Sequence, residues 1–488
     1  MELHPSGLCI TRGSALLGIG FFVILTVPSL LILDFPKIAM VPLLFFIPTI
    51  IFARFWLGAM WKQPLGLNIS WGRLALFVAN FAILCLAAVY SYNHGLRPVR
   101  EPVLNTFGFN ILAAISALAF CLAASGEPRP VSALMSGLLL AALAICSLDL
   151  ALHLGGYVNP GSAWQPQTKT PGLFFTLLGF KAHRVMMPLS SAFQNGAVVP
   201  TLLCVIAMGA GGRWVWLRGA AFGLGLLLLL LLDTRMFILA IAIAFLSRVL
   251  SRIPWALAAT ALALPWLEVA VVVYADLFPS VAEIAGGRST AYGLFSGRQF
   301  IWEKCWDYLA WTKSGPLLLG NGLFGQANTG ISRQYAAMFA YWPAEDRSAI
   351  SVHNAFLQML LDVGIVGLAA FGLMLFFAVS RAETLARRGG PDAPGWRIVS
   401  LVLLTFASIA GTEMVLGVYM KESIAITSCL FLATALFGGR RAPRRNQVTI
   451  IVRFRDWRTN SEKAGTLGQS TGRKRTGLPT AHLISGRR

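Results

Sequence analysis

Residues 351–379 read SVHNAFLQMLLDVGIVGLAAFGLMLFFAV, and this stretch shows how the rest of the chain is built. A polar start with His353 and Asn354 leads into an apolar run long enough to cross a bilayer, which takes about 20 residues as a helix. The longest polar interval of the chain, residues 275–353, comes directly before this run, and further apolar runs lie on both sides of it. The pattern predicts an all-α integral membrane protein with one large loop outside the bilayer.

The composition supports the same class of protein. Of the 488 residues, 56% are hydrophobic and 12% are charged, whereas soluble domains carry about 25% charged residues. The net charge of +20 does not indicate a nucleic-acid partner, because the basic residues are scattered between apolar runs and gathered in the tail. Such charges orient the spans and attract anionic membrane lipids. The seven cysteines imply no disulfide framework, and Cys305 is expected as a free thiol packed in a helix.

About twelve transmembrane helices are expected, of which the second, seventh, eighth and twelfth are short. Their predicted bounds are Ser14–Leu33, Ile38–Ala53, Leu74–Tyr92, Leu104–Ala124, Ser132–Leu154, Ala192–Ala210, Leu217–Leu232, Met236–Leu250, Trp255–Tyr274, Asn354–Val379, Ile398–Leu416 and Ser423–Phe437.

The positive-inside rule gives these helices an orientation. Short loops on one side hold most of the arginines, so we place residues 1–13 and the basic tail 438–488 in the cytoplasm. We expect the tail to be disordered, because it is polar and charged with few apolar residues. Helices 1–9 then occupy residues 14–274, helices 10–12 occupy residues 354–437, and the loop 275–353 faces the outside. A second outside interval spans residues 155–191.

Four carboxylates fall in the outer halves of predicted spans, where an ionisable group is costly and is a candidate for function. They are Asp149, Glu268, Asp362 and Glu413. Their common side suggests a water-accessible cavity open to the outer face. The alternative is that each carboxylate is satisfied by a neighbouring group, as Asp149 could be by His153 four residues later.

The outer loop contains two recognisable segments. Residues 297–313 have helical spacing of Trp302, Trp306 and Leu309, which predicts an amphipathic helix at the membrane surface whose tryptophans either stack on sugar rings or belong to an interfacial aromatic belt. Residues 320–325, GNGLFG, predict a tight turn.

Two residues are the main candidates for chemistry. Arg235 follows a span at the tip of a tight outer turn, where its guanidinium could bind phosphate or extend to lipid head groups. His353 closes the outer loop above Asp362, and a neutral imidazole there could take a proton from a sugar hydroxyl. The sequence contains neither a phosphate-binding G-x-x-x-x-G-K-[ST] loop nor a metal-binding D-x-D motif.

These residues, taken in order, resemble the O-antigen ligase and O-antigen polymerase superfamily of bacterial inner membranes. The resemblance is carried by Thr234-Arg235, by Gly297-Arg298 with Trp302, by the glycine turn, by His353-Asn354 with Leu357, and by Gly364 and Gly367 in the next span. It is concentrated between about residues 230 and 377. Members often have serine before the arginine at the tip, whereas this chain has Asp233-Thr234.

The resemblance implies a metal-independent, inverting glycosyltransferase that needs no cofactor. Such an enzyme moves a saccharide from undecaprenyl diphosphate to an acceptor glycan or to lipid A core at the periplasmic face of the inner membrane. Carried over to this chain, it implies His353 as the catalytic base, Arg235, Arg298 and Arg184 as diphosphate-binding residues, and Asn354, Asp362 and Trp302 as supporting residues.

Ligation of O-antigen and polymerisation of a surface or exported polysaccharide remain equal alternatives from the sequence. A protein O-oligosaccharyltransferase would share the same architecture. A flippase or transporter for a glycolipid or polysaccharide is the alternative from another class, although transporters show paired halves and none is evident here.

Overall fold

The structure is a computed structural model, and it describes residues 8, 10–30, 67–158, 183–189, 193–211, 215–273, 298–339, 347, 350–417 and 419–439. The second predicted span, residues 274–297 of the outer loop and the tail from residue 440 lie outside the described residues. Within the described part, every element of regular structure is a helix, which confirms the all-α prediction.

Among the described residues, eleven of the twelve predicted spans coincide with helices, and four further α-helices lie in the predicted outer loop. In chain order they are α1 (Arg12–Leu30), α2 (Trp71–His94), α3 (Arg100–Ala124), α4 (Pro130–Leu154), α5 (Phe193–Gly209), α6 (Val215–Leu232), α7 (Arg235–Leu250), α8 (Pro254–Val273), α9 (Arg298–Trp311), α10 (Ser314–Leu319), α11 (Gly325–Asn328), α12 (Ile331–Tyr335), α13 (Ala355–Arg388), α14 (Ala393–Ile409) and α15 (Lys421–Leu436).

Five of the described helices, α2, α3 with its short lead-in, α4, α6 and α13, are long and apolar enough to cross a membrane. Shorter apolar segments lie in α1, α5, α8, α14 and α15. The chain is therefore a membrane protein. The full number of spans remains a prediction.

The helices form one bundle whose centre is α13 and α14. Helix α13 packs on α2, α8, α10 and α14, while α14 also contacts α4, α5 and α7. Helix α14 is buried along nearly its whole length. The positions of α13 and α14 therefore determine which loops come together at each end of the bundle.

Arginines stabilise one end of this bundle. Arg381 donates to the carbonyl oxygens of Gly438 and Gly439 at 2.6 and 2.8 Å, and Arg73 donates to that of Thr434 at 2.9 Å. These contacts satisfy carbonyl groups at the C-terminal end of α15 that have no partner within the helix. The same end carries buried Glu383, which pairs with Arg248 at 2.7 Å. This is the end that the positive-inside rule predicts to be cytoplasmic.

Helix α13 is interrupted at Gly364, where φ is 64° and ψ is −168°. This conformation is essentially restricted to glycine. The predicted glycine turn packs backbone to backbone against the interruption, with Asn321 N donating to Leu361 O at 2.8 Å and Gly322 N to Asp362 O at 2.9 Å. A Cβ on Gly364 would lie 2.3 Å from Leu318 O. The glycines therefore allow the outer loop to approach α13 closely.

We expect Gly364→Ala to lower the stability of the protein. The backbone conformation alone costs an alanine on the order of 1–3 kcal/mol, and the clash with Leu318 adds to that cost. Gly372→Ala in the same helix is the matched control, because its Cβ would meet its nearest neighbour at an ordinary 3.6 Å. Thermal unfolding in detergent should show a lower Tm for the first variant only. Equal Tm values would contradict this account of the turn.

The eleventh predicted span, Ile398–Leu416, extends too far at its C-terminal end. Helix α14 ends at Ile409, and residues 410–417 form turns and bends. Ala355 N donates to Ala410 O at 2.8 Å and Asn354 Nδ2 donates to Gly411 O at 2.7 Å. These hydrogen bonds satisfy the carbonyl groups that follow the end of α14. Glu413 therefore lies in a loop beside the start of α13 and not inside a span.

Candidate functional site

The backbone around His353 is held by side chains on both sides. Val352 N donates to Gln358 Oε1 at 3.2 Å, and Val352 O accepts from Trp302 Nε1 at 2.9 Å. Asn354 caps α13 by accepting from Leu357 N at 2.7 Å. Between these anchors His353 adopts a φ of 54°, which is uncommon for a residue other than glycine and recurs at functional sites.

The His353 side chain is 20% exposed and faces Glu413, with Nδ1 3.8 Å from Oε2. The ring of Phe339 is nearly parallel to the imidazole, at 13° and with the ring centroids 6.1 Å apart. Because Nδ1 faces the carboxylate, Nε2 points away from it on the other side of the ring. That nitrogen is the one placed to accept a proton.

Glu413 connects His353 to Arg298. One guanidinium nitrogen of Arg298 lies 2.6 Å from Glu413 Oε1, and another donates to Thr412 O at 2.5 Å. The two side chains are 13% and 7% exposed, so the ion pair is largely shielded from water. Arg298, Glu413 and His353 therefore form one connected cluster, which we call the histidine cluster.

The charges of this cluster act on one another. Burial lowers the pKa of His353 below its ordinary value, with the positive charge of Arg298 also lowering it and the Glu413 carboxylate acting in the opposite sense. Burial alone would raise the pKa of Glu413, but Arg298 and His353 together lower it below its ordinary value. At neutral pH the imidazole is therefore neutral and the carboxylate is ionised, as a base and its partner require.

A second cluster is built around Asp233, in the turn between α6 and α7. Its carboxylate lies 3.3 Å from Arg235 and 3.8 Å from Arg184, while Asp233 itself is buried and has a φ of 51°. Arg184 also donates to Leu232 O at 3.1 and 3.2 Å, so it caps the end of α6. We call Arg184, Asp233 and Arg235 the arginine cluster. Asp233 therefore pairs with both arginines of this cluster.

The two clusters are close enough to influence each other. Burial lowers the pKa of Arg184; Asp233 raises it, Arg235 and Arg298 lower it, and Glu413 raises it again. Arg184 is thus within electrostatic range of the histidine cluster. Together the clusters hold three guanidinium groups and two carboxylates, a net positive charge suited to a phosphate-bearing ligand.

The remaining predicted site residues lie around these clusters. Asn354 is fully buried, and Trp302 is fully buried in contact with Val352, so Trp302 holds the backbone before His353 and is not available to stack on a sugar. Trp311, by contrast, is 90% exposed. Helix α9 confirms the predicted helix, and Cys305 is buried in it as a free thiol.

Asp362 is hydrogen-bonded to groups of the loops and of α13 around it. Its carboxylate accepts from Gly325 N and Gln358 Nε2, each at 2.8 Å, and from the hydroxyl of Tyr419. The adjacent cavity measures about 10 Å³, which is room for about one water. Asp149 accepts from Leu189 N at 2.8 Å. For Asp362 and Asp149 the structure therefore supports the interpretation that each carboxylate is satisfied by neighbouring groups, and not that both line a water-accessible outer cavity. The side chain of Glu268 lies outside the described residues.

Glu413 belongs to the histidine cluster, although the sequence does not predict it as a site residue. The sequence marks it only as one of four carboxylates near the outer face, and its pairing with Arg298 joins positions 115 residues apart. Among the described residues, no group of three or more His, Cys, Asp or Glu side chains could hold a metal ion.

Comparison with known families identifies the segment that carries most of this geometry. A family model described as O-antigen ligase matches residues 220–372. This segment is similar to the O-antigen ligase family. The O-antigen ligase segment contains Arg235, Arg298, Trp302, His353, Asn354 and Asp362, and the predicted resemblance is confirmed. Arg184 and Glu413 lie outside this segment, and the packing of the chain brings them to the two clusters. No curated protein matches the chain.

Proposed function

We propose that the chain transfers a saccharide from undecaprenyl diphosphate to a hydroxyl of an acceptor, at the periplasmic face of the inner membrane. The observation that carries this proposal is the connection of His353 to Arg298 through Glu413, with Arg184 within electrostatic range of that pair and Arg235 sharing Asp233 with Arg184. The O-antigen ligase match supports enzymatic glycosyl transfer. The concentration of arginines at the opposite end of the bundle supports the periplasmic placement.

In the proposed reaction, Nε2 of His353 accepts the proton of the acceptor hydroxyl as its oxygen attacks the anomeric carbon of the donor. The bond between that carbon and the diphosphate oxygen breaks at the same time, which inverts the configuration at the anomeric carbon. Glu413 stabilises the imidazolium ion that forms, and Arg298 keeps Glu413 ionised.

The leaving diphosphate carries the bond electrons away as negative charge. Arg235, Arg298 and Arg184 stabilise this charge electrostatically, which lowers the barrier for departure. Preformed, partly buried guanidinium groups are effective in this role because they need little rearrangement during the reaction. The mechanism requires no divalent metal.

The acceptor decides whether the reaction is a ligation to lipid A core, a polymerisation or a transfer to a protein. The described geometry concerns the donor and the base, so all three acceptors remain within the proposal. The alternative of a different class, a flippase, would move the lipid-linked saccharide across the bilayer without breaking the glycosyl bond.

The proposal is tested by incubating the purified protein in nanodiscs with an undecaprenyl diphosphate saccharide and candidate acceptors in excess EDTA. We expect mass spectrometry to show released undecaprenyl diphosphate and a glycosylated acceptor. A requirement for a divalent ion would contradict the metal-free mechanism. Movement of intact donor across liposomes, with no bond broken under any acceptor, would support the flippase instead.

The rate of transfer should fall as the pH is lowered through the pKa of His353, since only the neutral imidazole accepts a proton. Burial places that pKa below the ordinary value of 6.5, so the rate should be nearly constant above neutrality. Glu413→Gln removes the carboxylate that raises the pKa, so the acidic limb should move to lower pH while the maximal rate falls.

A pH-rate profile of kcat for the wild type, Glu413→Gln and Glu303→Gln checks this expectation. Glu303 is a carboxylate on the neighbouring helix α9, and its replacement should leave the profile unchanged. An acidic limb that moves to higher pH in Glu413→Gln would show that Glu413 does not act on His353 as described.

A further inference from the structure

Part of the predicted outer loop packs against the side of α13, well beyond the start of the helix that follows His353. The backbone of residues 318–322 contacts α13 between Leu361 and Gly364, through the hydrogen bonds of the glycine turn and the close approach of Leu318 O to Gly364. Helix α13 begins at Ala355. At 1.5 Å per residue, these contacts lie about 9–14 Å along the helix from its first residue.

The depth of this contact in the membrane can be estimated from the C-terminal end of α13. Arg381 and Arg73 bind the carbonyl groups at the end of α15, and such a concentration of polar groups marks the edge of the hydrocarbon layer. From Gly364 to Arg381 the helix rises about 26 Å. The hydrocarbon layer is about 30 Å thick, and any tilt of α13 shortens the rise across it. Gly364 and the loop backbone packed on it therefore lie at or inside the outer border of the hydrocarbon.

The two leucines of the loop at this level are exposed, Leu318 by 46% and Leu319 by 70%. Trp311, the last residue of α9, is 90% exposed, and Lys313 and Ser314 between it and the leucines are exposed as well. Next to them on α13, Ile365 and Val366 are 44% and 49% exposed, and Leu373 and Phe377 extend this exposed apolar surface toward the other end of the helix. A patch of this kind facing water would be unfavourable, whereas acyl chains cover it and a tryptophan is stable at the interface.

Helix α9 also carries charge on its exposed face. The carboxylate of Asp307 is 69% exposed and lies 3.4 Å from Lys304 Nζ. Asp307 and Trp311 are spaced i, i+4 and share one face of α9, so this face changes from charged at Asp307 to apolar at the end of the helix, next to α10.

We propose that Trp311, Leu318 and Leu319 form a lipid-docking surface, at which the outer loop re-enters the bilayer beside α13. The occupant is the acyl chains of the leaflet on the His353 side, because the surface is continuous with the exposed apolar residues of α13. This contact holds the glycine turn at the border of the hydrocarbon, where lipid head groups lie. The inference does not depend on the proposed function.

The test is the membrane depth of single nitroxide labels in nanodiscs of phosphatidylethanolamine and phosphatidylglycerol. Leu319→Cys and Trp311→Cys should give labels that collide often with oxygen and rarely with a water-soluble nickel chelate. Asp307→Cys is the matched control: Asp307 lies one turn before Trp311 on the same face of α9, so the comparison reports depth and not helix face, and its label should show the reverse. The parent chain carried through the same labelling gives the background from native cysteines.

Labels at positions 319 and 311 that are as accessible to the nickel chelate as the label at position 307 would overturn the proposal. Trp311→Cys keeps the experiment decisive if Leu319→Cys does not fold, because a side chain that is 90% exposed contributes few contacts to the fold. Since the measurement requires no turnover, an inactive glycosyltransferase would leave its result unchanged.

Discussion

Replacing His353 by alanine is expected to reduce glycosyl transfer by about 10²- to 10⁴-fold, the usual contribution of a positioned general base. The imidazole is the group in the histidine cluster that can be neutral at pH 7 and accept a proton, since Glu413 is ionised and paired with Arg298. Donor binding should change much less, because the arginines remain in place. The loss should therefore appear in kcat more than in KM.

His153→Ala is the matched control for this substitution. His153 is a half-buried histidine in the last turn of α4, outside both clusters. Both variants should be produced and inserted at wild-type levels, and only His353→Ala should lose product. Near-normal product from His353→Ala would remove His353 from the mechanism.

Replacing Arg298 by alanine is expected to lower both activity and stability. It leaves the buried Glu413 carboxylate without its closest cation and removes the hydrogen bond to Thr412 O. Breaking a buried ion pair by removing one partner typically costs about 3–5 kcal/mol. The loss of a diphosphate-binding group should reduce transfer in addition to this structural effect.

The double variant Arg298→Ala with Glu413→Gln separates the two effects. Removing both charges leaves no unpaired buried ion, so much of the thermal stability lost in Arg298→Ala should return. Activity should not return, because the guanidinium that we propose binds the diphosphate is still missing. Arg298→Lys keeps the charge but not the paired geometry, and we expect an intermediate rate. Recovery of full activity in the double variant would show that Arg298 acts only through stability.

The sequence predicted the helices well because each apolar run is governed by one strong local rule, the length needed to cross a bilayer. It failed at α14, where the apolar run continues through Leu416 although the helix ends at Ile409. The helix stops there because Asn354, Ala355 and Arg298 bind the carbonyl groups of residues 410–412. Such partners come from distant parts of the chain and leave no local signal.

The same limit explains which parts of the site could be predicted. His353, Arg235 and Arg298 stand in segments with recognisable motifs, so they were identified. Glu413 was visible as a carboxylate in an apolar region, but its connection to Arg298 depends on how α9 and the end of α14 pack. Trp302 and Asp362 are predicted as supporting residues, but their contacts with backbone groups arise from packing that leaves no local signal in the sequence.

In the proposed mechanism the histidine and arginine clusters surround one diphosphate. A cryo-EM structure of the protein in nanodiscs with undecaprenyl diphosphate bound tests this arrangement. We expect density for the two phosphates within hydrogen-bonding distance of Arg235 and Arg298, beside His353. Phosphates bound instead at the opposite end of the bundle, near Arg248 and Arg387, would contradict the claim.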